Sequence, residues 1–271
     1  MLKSEKMKDK KEVILNTIIK EYIKNPIPVS SKYLQSKLDI KISSATIRNY
    51  FKKMVEEGEL EQFHISSGRV PALHTLKNYW KKKLDVNREL NIENSTKIKE
   101  FTKNYNIFCE FKFFEPNRLK EVIDHKNRFL ILEFEKNEFI IDYSEPFYRF
   151  FNEFIGVEVS DLVNICKQIG LTTLAKKLNA VSNEDINIEG IKELLELISN
   201  NREWGNRYIK DILDGTILDK LKPGLYFEEL LPKGYLAYNS NAKIEKRDAK
   251  MLCIGALCRD YESFFKNLTK E

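Results

Sequence analysis

Apolar residues recur at helical spacing in the first part of this 271-residue chain. Between residues 10 and 24 they fall at every third or fourth position and form one stripe, which predicts an amphipathic helix. The Pro26-Ile27-Pro28 segment ends this helix, because a proline cannot continue it. A second, short helix is predicted to begin at Ser30 or Ser31, either of which can cap it, and to reach Leu38 with Tyr33 on its apolar face.

A third helix is predicted between a serine cap at Ser43 and a stop at Gly58, and its two faces differ. Its apolar side is formed by Ile47, Phe51, Met54 and Val55. The opposite side is small at its start and cationic further along, and carries Ala45, Thr46, Asn49, Lys52 and Lys53 with Arg48 at the flank. Small residues permit close approach to base edges, while Asn and Arg offer paired hydrogen bonds to bases. This layout is typical of a helix-turn-helix, although many three-helix bundles share it.

Residues 60–71 are too few and too polar for another helix, and they predict a small β-hairpin. Its tip would be Ser66-Ser67-Gly68, with Arg69 beside it, which is the shape of a wing. A fourth amphipathic helix is predicted over residues 73–84. Tyr79 and Trp80 on this helix are interpreted as residues that pack against the first helix rather than as residues that stack on bases.

The remaining chain alternates strands with helices. Residues 85–97 are polar and without periodicity, which predicts a linker. Strands are predicted at 106–114, 128–135, 138–142, 224–227, 235–238 and 251–256, and helices at 115–125, 160–169, 171–178, 191–199, 208–218 and 259–268. Residues 145–154 suit either a helix or a strand. Strands at both ends with helices between them predict an α+β domain with a helical insertion.

Charge changes this picture, because it is unevenly distributed. Residues 1–84 hold 18 Lys and Arg against 9 Asp and Glu, whereas the rest of the chain holds 28 against 32. A basic first segment on a mildly acidic body favours a polyanion as the partner of the first segment, although a Lys-rich surface can also serve solubility alone. That segment has 16 Lys but only two Arg, Arg48 and Arg69, and both fall on the predicted reading surface.

Other chemistry is sparse. The chain has no apolar run of the ~20 residues that a membrane span needs, and its Lys-rich start is not followed by the apolar segment of a secretion signal. Four cysteines without a CxxC pair and three histidines predict no metal site and fit a reducing cytoplasm. Nucleotide-binding and hydrolase motifs are absent from the sequence, so we predict no catalytic residue and no cofactor.

Three segments resemble a known family: 28–31 (PVSS), 43–49 (SSATIRN) and 57–71 (EGELEQFHISSGRVP). The sequences of these segments and their order along the chain resemble those of the heat-inducible transcription repressor HrcA family. Residues 234–261 are similar to the carboxy-terminal hairpin and last helix of that family. The chain departs from the family pattern at four positions near the first segments, namely Ser30, Phe63, Ser67 and Ala72.

The resemblance implies an α+β protein with an N-terminal winged helix-turn-helix followed by a GAF-like α+β domain. The expected boundaries are 1–84 for the DNA-binding domain, 85–97 for the linker and 98–271 for the GAF-like domain, with an inserted helical dimerisation segment at about 145–220. It also implies a repressor of heat-shock chaperone operons, which binds an inverted-repeat operator in double-stranded DNA as a homodimer and is released on heat stress. A GroE-type chaperonin would modulate its activity.

The expected DNA-binding residues follow from the two-faced helix and the resemblance together. Register and base sequence are assigned to Ser43, Ser44, Thr46, Arg48 and Asn49. Phosphate neutralisation is assigned to Lys52, Lys53 and Arg69, and approach of the hairpin to the duplex to His64, Ser66, Ser67 and Gly68. The alternative is a winged-helix regulator that responds to a small-molecule ligand in the GAF-like domain. An enzyme with a regulatory head would need a cluster of titratable residues that the sequence does not display.

Overall fold

A computed structural model of the protein describes residues 2–64, 68–113, 116–181 and 186–269. The fold is of the α+β class, as predicted from the sequence. It divides into two compact units. The first comprises the chain up to Phe111 together with the chain from Asn187 onward, and the second lies between Lys112 and Ile186. Within the described residues, no helix is long and apolar enough to cross a membrane.

The first unit begins with four helices and a small sheet. These are α1 (Leu2–Lys24), α2 (Ser31–Lys37), α3 (Ser44–Glu56), β1 (Leu60–Glu61), β2 (Val70–Pro71) and α4 (Leu73–Lys83). The four helices that the sequence pattern predicts here are thus confirmed. The first three helices and β1 share an apolar core, because the stripe of each supplies buried side chains: Ile14, Ile18, Val29, Leu34, Ile47, Phe51, Met54 and Leu60.

The hairpin pairs antiparallel, with Leu60 opposite Pro71 and Glu61 opposite Val70. A further bridge extends it on the other side, where the Val29 amide donates to the Arg69 carbonyl at 2.8 Å and the Arg69 amide donates to the Val29 carbonyl at 2.9 Å. The second strand of the hairpin is therefore hydrogen-bonded, on the tip side of Val70, to the segment between α1 and α2.

The rest of the first unit is built on a larger sheet. Its strands run in the order β3-β10-β11-β4-β8, with β9 also paired to β10. They are β3 (Leu90–Ile92), β4 (Phe108–Phe113), β8 (Ile186–Glu189), β9 (Gly224–Tyr226), β10 (Tyr235–Ile244) and β11 (Arg247–Ala256). The accompanying helices are α5 (Thr96–Tyr105), α9 (Ile191–Asn200), α10 (Arg202–Leu213), α11 (Thr216–Lys220) and α12 (Tyr261–Leu268).

In its described residues, 112–113, 116–181 and 186, the second unit contains a three-stranded antiparallel meander and three helices. Its strands are β5 (Leu119–His125), β6 (Phe129–Phe134) and β7 (Glu138–Asp142), and its helices are α6 (Glu145–Asn152), α7 (Val159–Gln168) and α8 (Thr172–Val181). Alternate residues of β6, including Leu132 and Phe134, are buried in a core that also contains Val122 of β5, Phe151 of α6 and Leu162 of α7. The segment 145–154, which the sequence left between helix and strand, is helical because Ser144 caps it and Pro146 occupies its first turn.

Two expectations are wrong. Residues 119–125 form strand β5, not the helix predicted over 115–125, because they pair along their length with β6. The predicted linker 85–97 contains β3 and the first residues of α5, since Leu90 and Ile92 are buried against β10 while Asn91 points outward. The insert expected at about 145–220 stays a prediction; the second compact unit comprises residues 112–186, and α9, α10 and α11 belong to the first unit.

Candidate nucleic-acid interface

The start of α3 is fixed by serine side chains. The Ser43 hydroxyl accepts a hydrogen bond from the Thr46 amide at 3.1 Å and lies 2.8 Å from the Thr46 hydroxyl. This is an N-cap, which satisfies a backbone donor that the helix leaves free. One residue on, the Ser44 hydroxyl lies 3.0 Å from that of Ser31 at the start of α2. The two short helices are thus joined at the point where α3 begins.

The two faces of α3 predicted from the sequence are confirmed. Ile47, Phe51 and Met54 are buried, whereas the side chains at 45, 46, 48, 49, 52 and 53 are exposed. Arg48 and Asn49 are therefore both accessible on one helix, and small residues precede them. Such a surface can approach a macromolecule closely and offer donors and acceptors to it.

The cationic end of this face carries only loose ion pairs. The Lys52 side chain is 78% exposed and lies 4.0 Å from Glu56; that of Lys53 is 55% exposed and lies 3.9 Å from Glu57. Exposed pairs one helical turn apart contribute little to stability. Glu57 is also hydrogen-bonded by Lys11, which holds the pKa of its carboxyl below the ordinary value. Both lysines can accordingly turn toward an anion at small cost.

Gly68 lies against the backbone of the segment before α2. A Cβ atom at this position would come within 2.5 Å of the carbonyl group of Val29 and 2.7 Å of the Pro28 carbonyl carbon. Only glycine permits this approach, so its first role is to seat the hairpin. His64, on the other side of the hairpin, is exposed, and its backbone carbonyl accepts a hydrogen bond from the side-chain amide of Gln62 at 2.8 Å. Ser66 and Ser67 lie outside the described residues.

Arg69 is placed differently from the lysines. Its guanidinium is partly buried, donates to the Gly68 carbonyl at 3.3 Å and lies 5.9 Å from the ring of Phe51. Burial lowers the pKa of Arg69 from its ordinary value. Because Phe51 belongs to the apolar side of α3, the structure does not bring Arg69 onto the exposed face with Asn49.

A hydrogen-bonded contact between α1 and α2 is not predicted by the sequence pattern. The Tyr33 hydroxyl donates to the buried Glu21 carboxylate at 2.6 Å, and the Lys24 ammonium donates to it at 2.7 Å. The prediction that Tyr33 lies on the apolar face of the second helix is wrong, because its side chain is 46% exposed. The Lys37 ammonium lies 5.4 Å from the centre of its ring. A glutamate within the apolar stripe of the first helix was the signal that could have revealed this contact.

Metal and thiol chemistry find no support in the described part of the chain. It contains no group of three or more His, Cys, Asp and Glu residues that could hold a metal ion. All four cysteines are free thiols. The sulfur atoms of Cys109 and Cys253 lie 3.1 Å apart, and burial raises the pKa of Cys109 well above its ordinary value. A thiol in that state is a poor nucleophile.

The chain is similar in sequence to curated transcription repressors over nearly its whole length. Two transcription repressors from Helicobacter pylori, strains 26695 and J99, are 33% and 32% identical to this chain over 268 residues, which is 97% of the chain and 96% of each relative. Both are described as Heat-inducible transcription repressor HrcA, and the family model for the HrcA C-terminal domain matches residues 80–271. The chain belongs to the HrcA family of heat-inducible transcription repressors.

One solved structure agrees over nearly the whole length. A crystal structure of a protein described only as hypothetical covers 96% of this chain and 96% of its own, with a TM-score of 0.54 and 20% sequence identity. The two proteins share a fold.

Proposed function

We propose that the protein is a DNA-binding repressor of heat-shock chaperone operons, which binds an inverted-repeat operator as a homodimer and is released on heat stress. In this proposal residues 1–84 are a winged helix-turn-helix, with α3 as the recognition helix and the β1–β2 hairpin as the wing. The remaining chain is a GAF-like domain with an insertion. The observation that carries the proposal is the exposed polar and basic face of α3, in a chain of the HrcA family.

Roles within the interface follow from where each side chain lies. Thr46, Arg48 and Asn49 contact bases from the exposed face, while Lys52 and Lys53 neutralise phosphates. Ser43 and Ser44 hold the amino end of α3 in place, so that their hydroxyls meet the backbone of the duplex. His64 brings the hairpin to the DNA, and Ser66 and Ser67, which lie outside the described residues, are given the same role by the family resemblance alone. Gly68 and Arg69 act mainly by holding the hairpin against α3 and the segment before α2.

An exposed apolar row supports a homodimer. Ile123, Ile131 and Ile140 lie side by side across β5, β6 and β7 on the face of the meander opposite its helices. Ile140 is 58% exposed and the neighbouring Phe129 is 43% exposed. An apolar strip of this kind marks an interaction surface, and a second copy related by a two-fold axis would cover it with the same strip. The symmetry of such a dimer matches that of an inverted repeat.

The remaining parts of the proposal come from family membership. A cytoplasmic repressor that needs a GroE-type chaperonin would lose activity when heat diverts the chaperonin to unfolded proteins. A repressor of marginal stability would instead lose activity by unfolding itself, because a small loss of free energy changes the folded fraction several-fold. Operator binding measured against temperature, with and without chaperonin, separates the two routes.

Operator binding itself is tested by titrating labelled promoter DNA with the full-length protein at several salt concentrations. Arg48→Ala is expected to cost about 1–3 kcal/mol and to relax specificity at one base step. Lys53→Ala should weaken binding to all sequences alike and reduce the salt slope by about 1. Lys192→Ala, at an exposed lysine of α9, is the matched control and should bind like wild type. Wild-type affinity in both α3 variants would exclude α3 as the reading helix.

A further inference from the structure

Helix α4 connects the small hairpin to the larger sheet of the same unit. At its start, the Ala72 amide and the Thr75 hydroxyl both donate to the Glu59 carbonyl, at 3.0 and 2.8 Å. Glu59 directly precedes β1, so α4 is anchored at the base of the hairpin. Further along, Lys77 forms an ion pair with Glu228, and the Lys81 ammonium lies 5.2 Å from the ring of Phe227.

Trp80 makes the central contact of this helix. It is fully buried, and its indole N–H donates to the Leu257 carbonyl at 2.7 Å. Its ring meets that of Tyr261 edge-on, with 5.2 Å between the centroids. The accepting segment, between β11 and α12, is itself held, because the Leu257 amide donates to the Gly234 carbonyl at 2.9 Å. Trp80 is therefore a packing residue, as predicted, but these contacts are with the C-terminal part of the chain and not, as the sequence pattern predicts, with the first helix.

The residues that follow α4 are hydrogen-bonded to the same sheet. The Tyr238 hydroxyl donates to the Asp85 carbonyl at 2.9 Å, and the Ser240 hydroxyl lies 3.4 Å from the Arg88 carbonyl. Strand β3 then pairs in parallel with β10. Helix α4 is thus a strut with one end at the hairpin and the other in the sheet.

We infer that Trp80 is a positioning residue for operator binding: its bond to the Leu257 carbonyl fixes the orientation of the α1–α3 module on the sheet, and in a dimer this sets the half-site spacing that the protein accepts. The inference rests on the proposed function. Two linked modules gain affinity from each other only when both reach their half-sites at once. A rigid strut gives that gain at one spacing, whereas a loosened strut gives less of it and spreads it over several spacings.

The test uses Trp80→Phe, which keeps an aromatic ring but removes the donor and leaves the Leu257 carbonyl buried without this partner. Binding is measured to a single half-site, to the full operator, and to operators with one or two base pairs added or removed between half-sites. Half-site affinity should remain that of wild type. Full-operator affinity should fall toward the affinity for a single half-site, because the two modules gain less from simultaneous engagement, and the preference for one spacing should flatten.

Trp204→Phe is the matched control. Trp204 is the other tryptophan of the chain, and its indole N–H also donates to a backbone carbonyl, that of Leu230 at 2.8 Å, but it lies on α10. This variant should keep the wild-type spacing preference. It also leaves Trp80 as the sole tryptophan, so that its fluorescence reports directly whether the indole remains buried when the operator is bound.

Glu228→Lys is a second variant. It replaces the ion-pair partner of Lys77, a residue of α4, with a side chain of the same charge as Lys77. This variant is used for the test if Trp80→Phe does not fold. It should flatten the spacing preference in the same sense. The inference is overturned if a folded strut variant keeps the wild-type spacing preference, or if half-site affinity falls as much as full-operator affinity. Failure of the wild type to bind any promoter would overturn the proposed function and this inference together.

Discussion

Gly68 illustrates how one residue can decide the position of a surface element. The hairpin lies against the segment before α2, and the backbone atoms of Val29 occupy the space that a side chain at position 68 would need. Glycine is necessary here because there is no room for a side chain, and not because of an unusual backbone angle. A side chain would push the hairpin away from the Val29–Arg69 bridge and so alter the angle at which it leaves the module.

Gly68→Ala should therefore destabilise the fold by about 1–3 kcal/mol, the usual cost of forcing extra atoms into a packed site. It should weaken DNA binding as well, because the hairpin moves. Denaturant unfolding measures the first effect and promoter titration the second. Gly224→Ala is the control, since the nearest atom to its added Cβ, on Tyr226, would lie at an ordinary 3.4 Å. Equal stability of the two variants would contradict the packing argument.

The buried carboxylate of Glu21 gives stability a dependence on pH. Hydrogen bonds from Lys24 and from the Tyr33 hydroxyl hold the pKa of Glu21 below its ordinary value. A carboxyl group whose pKa is lower in the folded state stabilises the fold above its unfolded pKa, and this contribution is lost as the pH falls through the folded pKa. Acid should accordingly loosen the contact between α1 and α2.

Glu21→Gln should be less stable than wild type at neutral pH, and the difference should shrink as the pH falls, because the wild type loses its charge while the amide does not change. Free energies of unfolding measured between about pH 7 and pH 3 test this prediction. Glu12→Gln, at an exposed position of the same helix, is the control and should parallel the wild type. A constant difference across the range would show that the charge of Glu21 is not responsible.

At the scale of elements, the orientation of α3 depends on its first turn. Ser43 caps this turn, and the residues proposed to read bases follow within two turns. Ser43 is also exposed, so the same side chain that caps the helix would face the DNA in the proposed complex. Stability and binding therefore need separate variants.

Ser43→Ala should cost about 1 kcal/mol of stability, the usual value of a lost cap. Ser43→Asp should restore it, since aspartate caps as well as serine, yet bind promoter DNA more weakly than wild type because its carboxylate faces phosphates. Thermal unfolding and promoter titration of both variants distinguish the two roles. If Ser43→Asp binds as tightly as wild type, Ser43 is a cap and not a DNA contact.

The same scale shows why some elements escaped prediction. The turn between β5 and β6 places Lys126 and Asn127 at φ values of 57° and 53°, and that between β10 and β11 places Glu245 and Lys246 at 52° and 68°. These left-handed pairs contain no glycine, which is the usual signal of a tight hairpin. Without that signal, the Pro-Asn start and spaced apolar residues of 115–125 suggested a helix. Pairing with β6 overrode this local preference.

The candidate site divides in the same way. The exposed face of α3 could be predicted because helical periodicity places Asn49 and Lys53 opposite Ile47. The positions of Arg69 and Tyr33 could not, since each depends on a partner distant in sequence, Phe51 and Glu21 respectively. Local patterns specify the faces of elements, whereas contacts between elements decide which polar side chains remain free for a partner.

At the scale of the whole molecule, the proposed dimer interface on the apolar strip of the second unit predicts that DNA binding depends on the oligomeric state. Ile140→Lys would place a charge within the proposed dimer interface, which a two-fold axis would form from the same strip of each copy. The variant should sediment as a monomer where the wild type is a dimer, keep half-site affinity and lose the extra affinity for the full operator. Ile191→Lys changes another exposed isoleucine, 47% accessible at the start of α9, and should remain dimeric. A dimeric Ile140→Lys would move the interface elsewhere, and a wild type that is monomeric at micromolar concentration would remove the basis for two-fold reading of an inverted repeat.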